Sequence, residues 1–220
     1  MAISLSALRP EIDCTNSSLL NGILSRRSVH PKHLVEPGPD NSGIQLIADS
    51  ANTATDHCGL RPWRLLAITG DTRNALAEVF ANIKQQKKPD ISLAELERER
   101  DRARAVPVLI AVITRLVAQH PIVPTMEQYA CVGAAIQNML LCAEGLGFGA
   151  KMVSGQKVGD PQLASAFGLD TDEAVFGFIC LGTARADAPI RPRVANPDAV
   201  TYWVGNSPSK RPDHIRASEN

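Results

Sequence analysis

One segment constrains the fold more than any other, because apolar residues occur on almost every side of the helix that Glu127–Leu146 predicts. These residues are Val132, Ala135, Ile136, Met139, Leu140 and Ala143. A helix that is apolar all round is covered by protein instead of lying on a surface. The segment therefore predicts a deeply buried helix around which the rest of the chain is arranged.

A central β-strand is predicted next. Pro107–Thr114 reads PVLIAVIT, an apolar and β-branched run without alternation, which suits a sheet covered on both faces. Two shorter apolar runs also predict strands, Arg64–Thr69 and Val175–Gly182. Further helices are predicted over Leu19–Ser28, over Ile44–Ala54 with Asn41 or Ser42 as its N-cap, and over Thr72–Lys84. This irregular alternation favours an α+β or mixed three-layer domain over a regular βαβ array.

Size and charge limit the classes of partner. The chain has 220 residues, of which 44% are hydrophobic, enough for one buried core. Because 23 basic residues balance 23 acidic ones, we expect no general attraction for nucleic acid or an anionic membrane. We expect an N-terminal extension over 1–18, one domain over 19–204 and a tail over 205–220.

The sequence shows no export or membrane signal that we recognise, and its cysteines follow no known pattern. No basic region followed by an apolar run opens the chain, and no segment approaches the roughly 18 apolar residues of a membrane span. A soluble cytoplasmic protein is expected. The five cysteines are odd in number and form no CxxC pair, which argues against a disulfide framework and a zinc site and predicts reduced thiols and no metal.

A polar stretch interrupts this pattern. Residues Gln85–Arg104 are nearly all polar, with opposite charges at helical offsets after Pro89. We expect a solvated, mobile excursion. Two interpretations stay open for its charged part, a lid over a substrate face and a plain surface helix.

Several familiar motifs fail. Gly145, Gly147 and Gly149 do not follow a strand and open a helix, as a dinucleotide-binding loop must. They are predicted to end a helix and to allow close backbone approach. The sequence contains no GxSxG, HExxH or GxxxxGK[ST], so a hydrolase or nucleoside triphosphatase has no support.

Four elements in a fixed order carry the chemistry. The first is Arg26-Arg27-Ser28 at a predicted helix end, where guanidinium forks and a hydroxyl suit an anion. On its own, a double arginine is more often a solvated surface pair. The others are Asp56-His57 followed by Pro62-Trp63, the long buried helix, and Met152-Val153-Ser154-Gly155.

This order resembles the FMN-dependent nitroreductase family, especially its compact bacterial subgroup, from about Leu19 to Trp203. The resemblance implies an α+β fold with a mixed central sheet flanked by helices. It also implies an intertwined homodimer with FMN sites at the subunit interface, in which an extended segment, Asn196 to Trp203, embraces the partner. FMN would be the cofactor and NAD(P)H the co-substrate.

The resemblance also implies residue roles. Arg26, Arg27 and Ser28 would hold the FMN phosphate, ribityl chain and pyrimidine edge. His57 would reach FMN in the other subunit. Backbone N–H groups of the segment Met152, Val153, Ser154 and Gly155 would face N5 and O4 of the flavin. His30 falls where some members place a cation near O2; a solvated loop histidine is the alternative.

Two positions depart from the family pattern. Thr55 stands where proline is usual, and Val153 stands where the subgroup commonly has arginine. Arg191 and Arg193 occupy the place where larger members carry basic residues on the phosphate. We hypothesise that these two arginines compensate for Val153.

The resemblance implies hydride transfer from NAD(P)H through flavin N5 to nitro-aromatic or quinone-like acceptors in a ping-pong cycle, with no catalytic side chain. Two alternatives stay open. The departures at Thr55 and Val153 suit an FMN-binding or sequestering protein with little turnover. Other flavin chemistry, such as dehalogenation or flavin fragmentation, is the second.

Overall fold

The computed structural model describes residues 18–190 together with Pro192, Ala199, Val200 and Trp203. The chain divides into two compact units, Met1–Ala188 and Pro189–Asn220, and the fold below is that of the first. Arg191, Arg193 and most of the C-terminal segment from Asn196 lie outside the described residues, as do the extension before residue 18 and the tail over 205–220.

Six α-helices and five strands make up the described fold. The helices are α1 (Ser18–Ser25), α2 (Asn41–Ala51), α3 (Thr72–Lys87), α4 (Leu93–Arg104), α5 (Thr125–Gly145) and α6 (Pro161–Ala166). The strands are β1 (Leu34–Val35), β2 (Trp63–Thr69), β3 (Val108–Arg115), β4 (Gly149–Val153) and β5 (Glu173–Ala184). Within the described ranges, no helix combines the length and apolar character needed to cross a membrane.

The five strands form one sheet organised around β5. Strand β3 pairs with one edge of β5 and carries β2 on its other side, while β4 and β1 follow one another along the opposite edge of β5. All the named pairs are antiparallel. The predicted α+β class is confirmed. Among the described residues, the parallel pairing that a mixed sheet requires is limited to an isolated bridge between Ser28 and Ala150.

Strand β3 separates two apolar layers. Leu109, Ala111 and Ile113 pack with residues of α3 and α4 on one face. The alternate residues Val108, Ile110 and Val112 pack with residues of α2 and α5 on the other face. All seven residues from Val108 to Thr114 are buried, so the prediction of a strand covered on both faces is confirmed.

The long helix is confirmed, but its all-round burial is not, because one side that includes Tyr129, Ala130 and Gly133 is exposed in the single chain. α5 buries eight residues, among them Val132, Met139 and Ala143. It ends at Gly145, and Gly147 follows with a φ of +84°. The Phe148 N–H donates to the Ala143 carbonyl at 2.9 Å, which closes the helix end as the glycine-rich sequence predicted.

One predicted cap is wrong. Asp40, and neither Asn41 nor Ser42, caps α2, because its carboxylate accepts from the Gly43 N–H at 2.8 Å and from the Ser42 hydroxyl at 2.7 Å. The hydrogen bond from Gly43, followed by that from Ser42, lowers the pKa of Asp40. The helix therefore begins earlier than its apolar pattern indicated.

The polar stretch over Gln85–Arg104 comprises the end of α3, a short turn and the packed helix α4. α4 begins with a capping box, in which the hydroxyl of Ser92 and the carboxylate of Glu95 each accept from the other's backbone N–H. Leu96, Glu99 and Ala103 are buried. The segment is therefore solvated on its outer face only, and not throughout as its composition predicted; its mobility stays a prediction.

Replacing Arg64 with methionine is expected to remove a stabilising contribution that depends on pH. Arg64 forms a two-pronged ion pair with the buried carboxylate of Glu173, at 2.7 and 2.8 Å. Arg64 is the main cause that lowers the pKa of Glu173. A carboxyl group whose pKa is lower in the folded than in the unfolded state stabilises the fold at pH values above the unfolded-state pKa. This stabilisation is lost as the pH falls through the folded-state pKa. The stability that Arg64→Met removes should therefore be largest near neutral pH.

Urea unfolding at pH 7 and at pH 4 measures this effect. We expect Arg64→Met to cost about 1–2 kcal/mol at pH 7, discounted because Arg64 is partly solvated, and clearly less at pH 4. Arg185→Met is the control, since Arg185 meets Asp187 at 2.9 Å on the surface, beyond the opposite end of β5 from Glu173. An equal deficit at both pH values would contradict the prediction.

Candidate functional site

A cavity of about 730 Å³ opens between α3, α4 and the segment that follows β4. This volume is typical of small-molecule sites. Its apolar walls include Phe80, Ile83, Leu109, Val158 and Phe178. Flat, apolar surfaces of this kind suit a planar aromatic ligand.

Charged residues around the cavity are mostly cationic. Two anionic side chains line it, Glu99 and Asp101. The seven lysines and arginines that line it are Lys32, Lys84, Lys87, Lys88, Arg98, Arg102 and Lys157. The cavity therefore favours a ligand that carries negative charge.

Glu99 ties α4 to the segment after β4. Its carboxylate is buried, and Oε2 accepts from Lys157 Nζ at 2.6 Å. The same carboxylate meets Arg102 Nη1 at 3.0 Å. Lys157 Nζ also lies 4.9 Å from the centre of the Phe80 ring, within the range of a cation–π contact. One buried carboxylate thus holds two of the cavity's cations in place.

The first predicted element lies beside β4. Ser28 forms the parallel bridge to Ala150, and the Val29 N–H donates to the Ala150 carbonyl at 3.0 Å. Arg26 Nη1 is 3.5 Å from Ser28 Oγ. Since a strand rises about 3.3 Å per residue, Ser28 lies about 10 Å along β4 from Val153. The fold therefore brings together residues that are far apart in the sequence.

Arg27 also has a structural role that the sequence did not predict. Its Nη1 donates to three carbonyls at the end of α1, those of Leu24, Ser25 and Arg26, at 2.8, 2.8 and 3.0 Å. Its Nε is buried and has no hydrogen-bond partner in the described part of the chain. A buried donor left without a partner is costly, so this atom is available to a bound acceptor.

The end of α5 fixes this element in place. The carboxylate of Glu144 accepts from the Arg27 N–H at 3.2 Å and from the Ser25 hydroxyl at 3.3 Å. Both contacts join residues more than a hundred positions apart in the chain. Glu144 is therefore a positioning residue that the motif comparison did not include.

Residues at the end of β4 reach the cavity. Val153, Ser154 and Gly155 line it together with His30. Met152 packs instead against the core on the α5 side of the sheet. The Lys32 N–H lies 3.3 Å from His30 Nδ1, where His30 caps a short 3₁₀ turn. Val153 adds an apolar wall at the position where arginine was expected.

His57 lies elsewhere in the same chain. Its Nδ1 is 2.9 Å from Glu127 Oε2 at the start of α5, whereas Arg27 is held by Glu144 at the end of that helix. With a rise of about 1.5 Å per residue, Glu127 and Glu144 are about 25 Å apart. A single chain therefore does not bring His57 to the Arg26–Ser28 element.

Two of the described free cysteines, Cys131 and Cys180, are unsuited to nucleophilic chemistry. Cys180 lines the cavity, and burial raises its pKa to about 12. Burial, followed by the charge of Asp56, raises the pKa of Cys131 to about 11. The Cys131 thiol donates to the Thr55 carbonyl at 2.8 Å. Because the thiolate is the nucleophile, neither residue supplies one near neutral pH.

Sequence reasoning missed most of the cationic lining. Lys84 and Lys157 belong to no motif, and they line one cavity with Arg98 because α3, α4 and the segment after β4 come together in the fold. The charge pattern after Pro89 predicted a helix, but nothing local in the sequence indicated which surface that helix covers. The acidic Glu99 within an apolar helical stripe, beside Leu96 and Ala103, was the one available signal.

Comparisons of the sequence with known proteins agree with the resemblance to nitroreductases. The sequence model described as the Nitroreductase family matches residues 23–183. An Escherichia coli K12 protein named "Putative NAD(P)H nitroreductase YdjA" is 30% identical over 186 residues, which cover 82% of this chain and 97% of that protein. A Bacillus subtilis protein named "Putative NAD(P)H nitroreductase YfhC" is 27% identical over 187 residues, covering 84% of this chain and 94% of that protein.

Solved structures show the same fold. A nitroreductase-like family protein from Bacillus cereus superposes with a TM-score of 0.72 at 22% identity, covering 86% of this chain and 97% of that one. A nitroreductase with bound FMN from Bacteroides fragilis superposes with a TM-score of 0.65 at 19% identity, covering 86% and 100%. The family match runs from α1 to β5 and includes both groups of predicted site residues at the two ends of α5, so this chain belongs to the nitroreductase family.

Proposed function

We propose that this protein binds FMN, oxidises NAD(P)H and reduces nitro-aromatic or quinone-like acceptors in a ping-pong cycle. One observation carries the proposal: Arg26 and Ser28 lie beside β4, whose last residue and the two that follow line an apolar, cation-rich cavity. Membership of the nitroreductase family supports it, as do the names of the relatives.

The residues present fit FMN. Arg26, Ser28 and the buried Nε of Arg27 form a donor set suited to a phosphate. Ser154 and Gly155 follow the last pair of the β4–β5 ladder, Val153 with Phe178, so their N–H groups lie beyond the strand pairing. The apolar cavity walls would cover a planar ring. Each part of the cofactor thus has residues of matching chemistry.

Bound FMN would supply a two-electron carrier at ring N5, which removes the need for an acid–base pair of side chains. The chain's own residues would bind and orient. The Arg26–Ser28 element would anchor the phosphate, and the backbone after Val153 would donate hydrogen bonds to the ring. Phe80, Ile83 and Phe178 line the cavity and would exclude water from the reacting face.

We propose further that two copies of the chain share each site. His57 and the Arg26–Ser28 element lie at opposite ends of α5, so a site that uses both takes His57 from a second copy. The exposed side of α5 carries Ala130 and Gly133, and small residues allow helices to approach closely. A homodimer with two equivalent FMN sites follows.

Loss of the phosphate anchor is expected to weaken FMN binding strongly. Arg26→Ala combined with Ser28→Ala removes charge-assisted and neutral hydrogen bonds, so the FMN dissociation constant should rise about 100-fold or more. Quenching of FMN fluorescence on titration measures it. Arg191→Ala combined with Arg193→Ala should also weaken binding if these residues compensate for Val153. Arg115→Ala is the control at a remote surface ion pair.

Assays of the purified wild-type protein distinguish the functional alternatives. Protein that reduces nitrofurazone or menadione with NAD(P)H supports the oxidoreductase. Protein that binds FMN but does not turn over favours the sequestering alternative, to which the departures at Thr55 and Val153 point. Protein without measurable FMN affinity would contradict both, and product analysis identifies dehalogenation or flavin fragmentation.

Complementation between defective subunits tests the shared site. His57→Ala and the Arg26→Ala, Ser28→Ala double variant are each expected to lose most activity as homodimers. A mixed dimer has one site with both sets of wild-type residues and one site with neither. Mixed dimers, isolated with two different affinity tags, should therefore regain about half of the wild-type activity. If each site were built within one chain, mixing would restore nothing.

A further inference from the structure

We propose that the electron acceptor of this protein is a planar molecule bearing an anionic group, which Lys84 and Arg98 bind at the α3–α4 side of the cavity. This inference rests on the proposed oxidoreductase function and specifies its substrate class. The starting observation is that the cations of the cavity outnumber its anions.

The acidic groups near the cavity are already engaged. Glu99 holds Lys157 at 2.6 Å and Arg102 at 3.0 Å. Beyond the lining, Asp160 holds Lys87 at 2.9 Å and Glu95 holds Lys88 at 3.3 Å. The other lining carboxylate, Asp101, lies 4.0 Å from Arg104. Three carboxylates thus pair with four of the seven cations that line the cavity.

Three lining cations, Lys32, Lys84 and Arg98, remain without an acidic partner among the described residues. Lys32 lies in the short turn capped by His30, whereas Lys84 and Arg98 lie on α3 and α4. Lys84 is half-buried on α3, next to the buried Ile83. A cation that is partly removed from water without a counter-ion is unfavourable, so an anion brought by a ligand would be stabilised there. Arg98 adds a planar fork that suits carboxylate oxygens.

The phosphate of the proposed cofactor does not account for these two cations. Arg26 and Ser28, which we assign to that phosphate, are absent from the residues that line the cavity, whereas Lys84 and Arg98 line it directly. The apolar walls, Phe80 and Phe178 among them, suit an aromatic ring. The two cations and the apolar walls together favour an aromatic carboxylate, or a similar aromatic anion, as the acceptor.

A matched pair of acceptors tests the inference. 4-Nitrobenzoate and 4-nitrobenzamide share the ring and the nitro group and differ chiefly in charge. In each turnover one NAD(P)H and one proton reduce the nitro group to nitroso, with release of NAD(P)⁺ and water. The carboxamide withdraws electrons more strongly than the carboxylate, so intrinsic reactivity favours the neutral compound. A preference for the anion would therefore report binding.

We expect wild-type protein to show a kcat/KM for 4-nitrobenzoate about ten-fold or more above that for 4-nitrobenzamide, in line with charge-assisted hydrogen bonds. This ratio should decrease with added salt. Lys84→Met and Arg98→Met, which retain apolar bulk, should each bring the ratio towards one. Arg115→Met, remote from the cavity on the surface, should leave the ratio unchanged.

Binding of unreactive analogues supplies a second readout. Benzoate should bind more tightly than benzamide by calorimetry, and Lys84→Met should abolish the difference. If neither nitro compound is reduced but benzoate binding still depends on Lys84, the proposed function fails while the anion site stands. Equal kcat/KM values for the two acceptors in wild-type protein would overturn the inference. A loss of FMN affinity, or of NADPH but not NADH turnover, in the lysine variant would also overturn it, by assigning the cations to cofactor or co-substrate.

Discussion

Replacing Gln128 with leucine is expected to lower the free energy of unfolding by about 2–4 kcal/mol. Gln128 is 1% exposed near the start of α5. Its Oε1 accepts from the Val117 N–H at 2.9 Å, and its Nε2 donates to the carbonyls of Val117 at 2.9 Å and Val123 at 3.2 Å. Leucine fills a similar volume but removes the partner of these three backbone groups. A buried group without a partner costs about 1–3 kcal/mol; the Val123 carbonyl is buried, whereas water partly reaches the two groups of Val117.

Urea unfolding at fixed protein and FMN concentrations measures the change, because bound ligand shifts apparent stability. Gln45→Leu is the control: Gln45 is exposed on α2, and the one side-chain hydrogen bond it forms within the described part of the chain goes to Asp49, at 2.9 Å. A change within about 0.5 kcal/mol is therefore expected. Gln128→Glu keeps the shape but loses the amide donor, and it should regain part of the deficit at acidic pH, where a protonated carboxyl donates again. An unfolding midpoint of Gln128→Leu equal to that of wild type would contradict the assignment.

Burial of a strand on both faces is the property that the sequence revealed best. β3 lies between the two core layers, and such strands carry unbroken apolar runs. α5 belongs to one layer only, and its other side is exposed in the single chain, although its sequence is apolar on almost every side. The cap of α2 was misplaced because Asp40, Asn41 and Ser42 are adjacent residues of similar capping preference. Only the geometry of the Asp40 carboxylate distinguishes them.

The candidate site was predictable in its parts but not in its arrangement. The family order predicted Arg26–Ser28 and Ser154 as site residues, and Ser28 does lie beside β4. The order of motifs in the sequence does not give the distances between them. The separation of His57 from this element therefore followed only from the structure, in which they lie at opposite ends of α5. The ion pair of Glu99 and Lys157 joins residues 58 positions apart, and no local pattern encodes such a contact.

A contact between residues far apart in the sequence also makes Gly177 a position where an added side chain is expected to be destabilising. It lies on β5 and faces β4, where a Cβ atom would lie 2.6 Å from the Val153 carbonyl oxygen and would also collide with the Met152 methyl group. Met152 is flexible and can shift. The Val153 carbonyl is backbone, and the ladder pairing of Val153 with Phe178 holds it in register. Any added side chain must therefore displace the end of β4.

Gly177→Ala is expected to lower the free energy of unfolding by about 2–3 kcal/mol, as overpacking does in a tight core, and to weaken FMN binding about ten-fold or more, because Ser154 and Gly155 move with Val153. Met152→Ala in the same chain should relieve the collision with the methyl group but not that with the carbonyl, so FMN affinity should stay low. Gly159→Ala is the control, since a Cβ there meets nothing within 4 Å. Wild-type FMN affinity in folded Gly177→Ala protein would show that the end of β4 does not form part of the cofactor site.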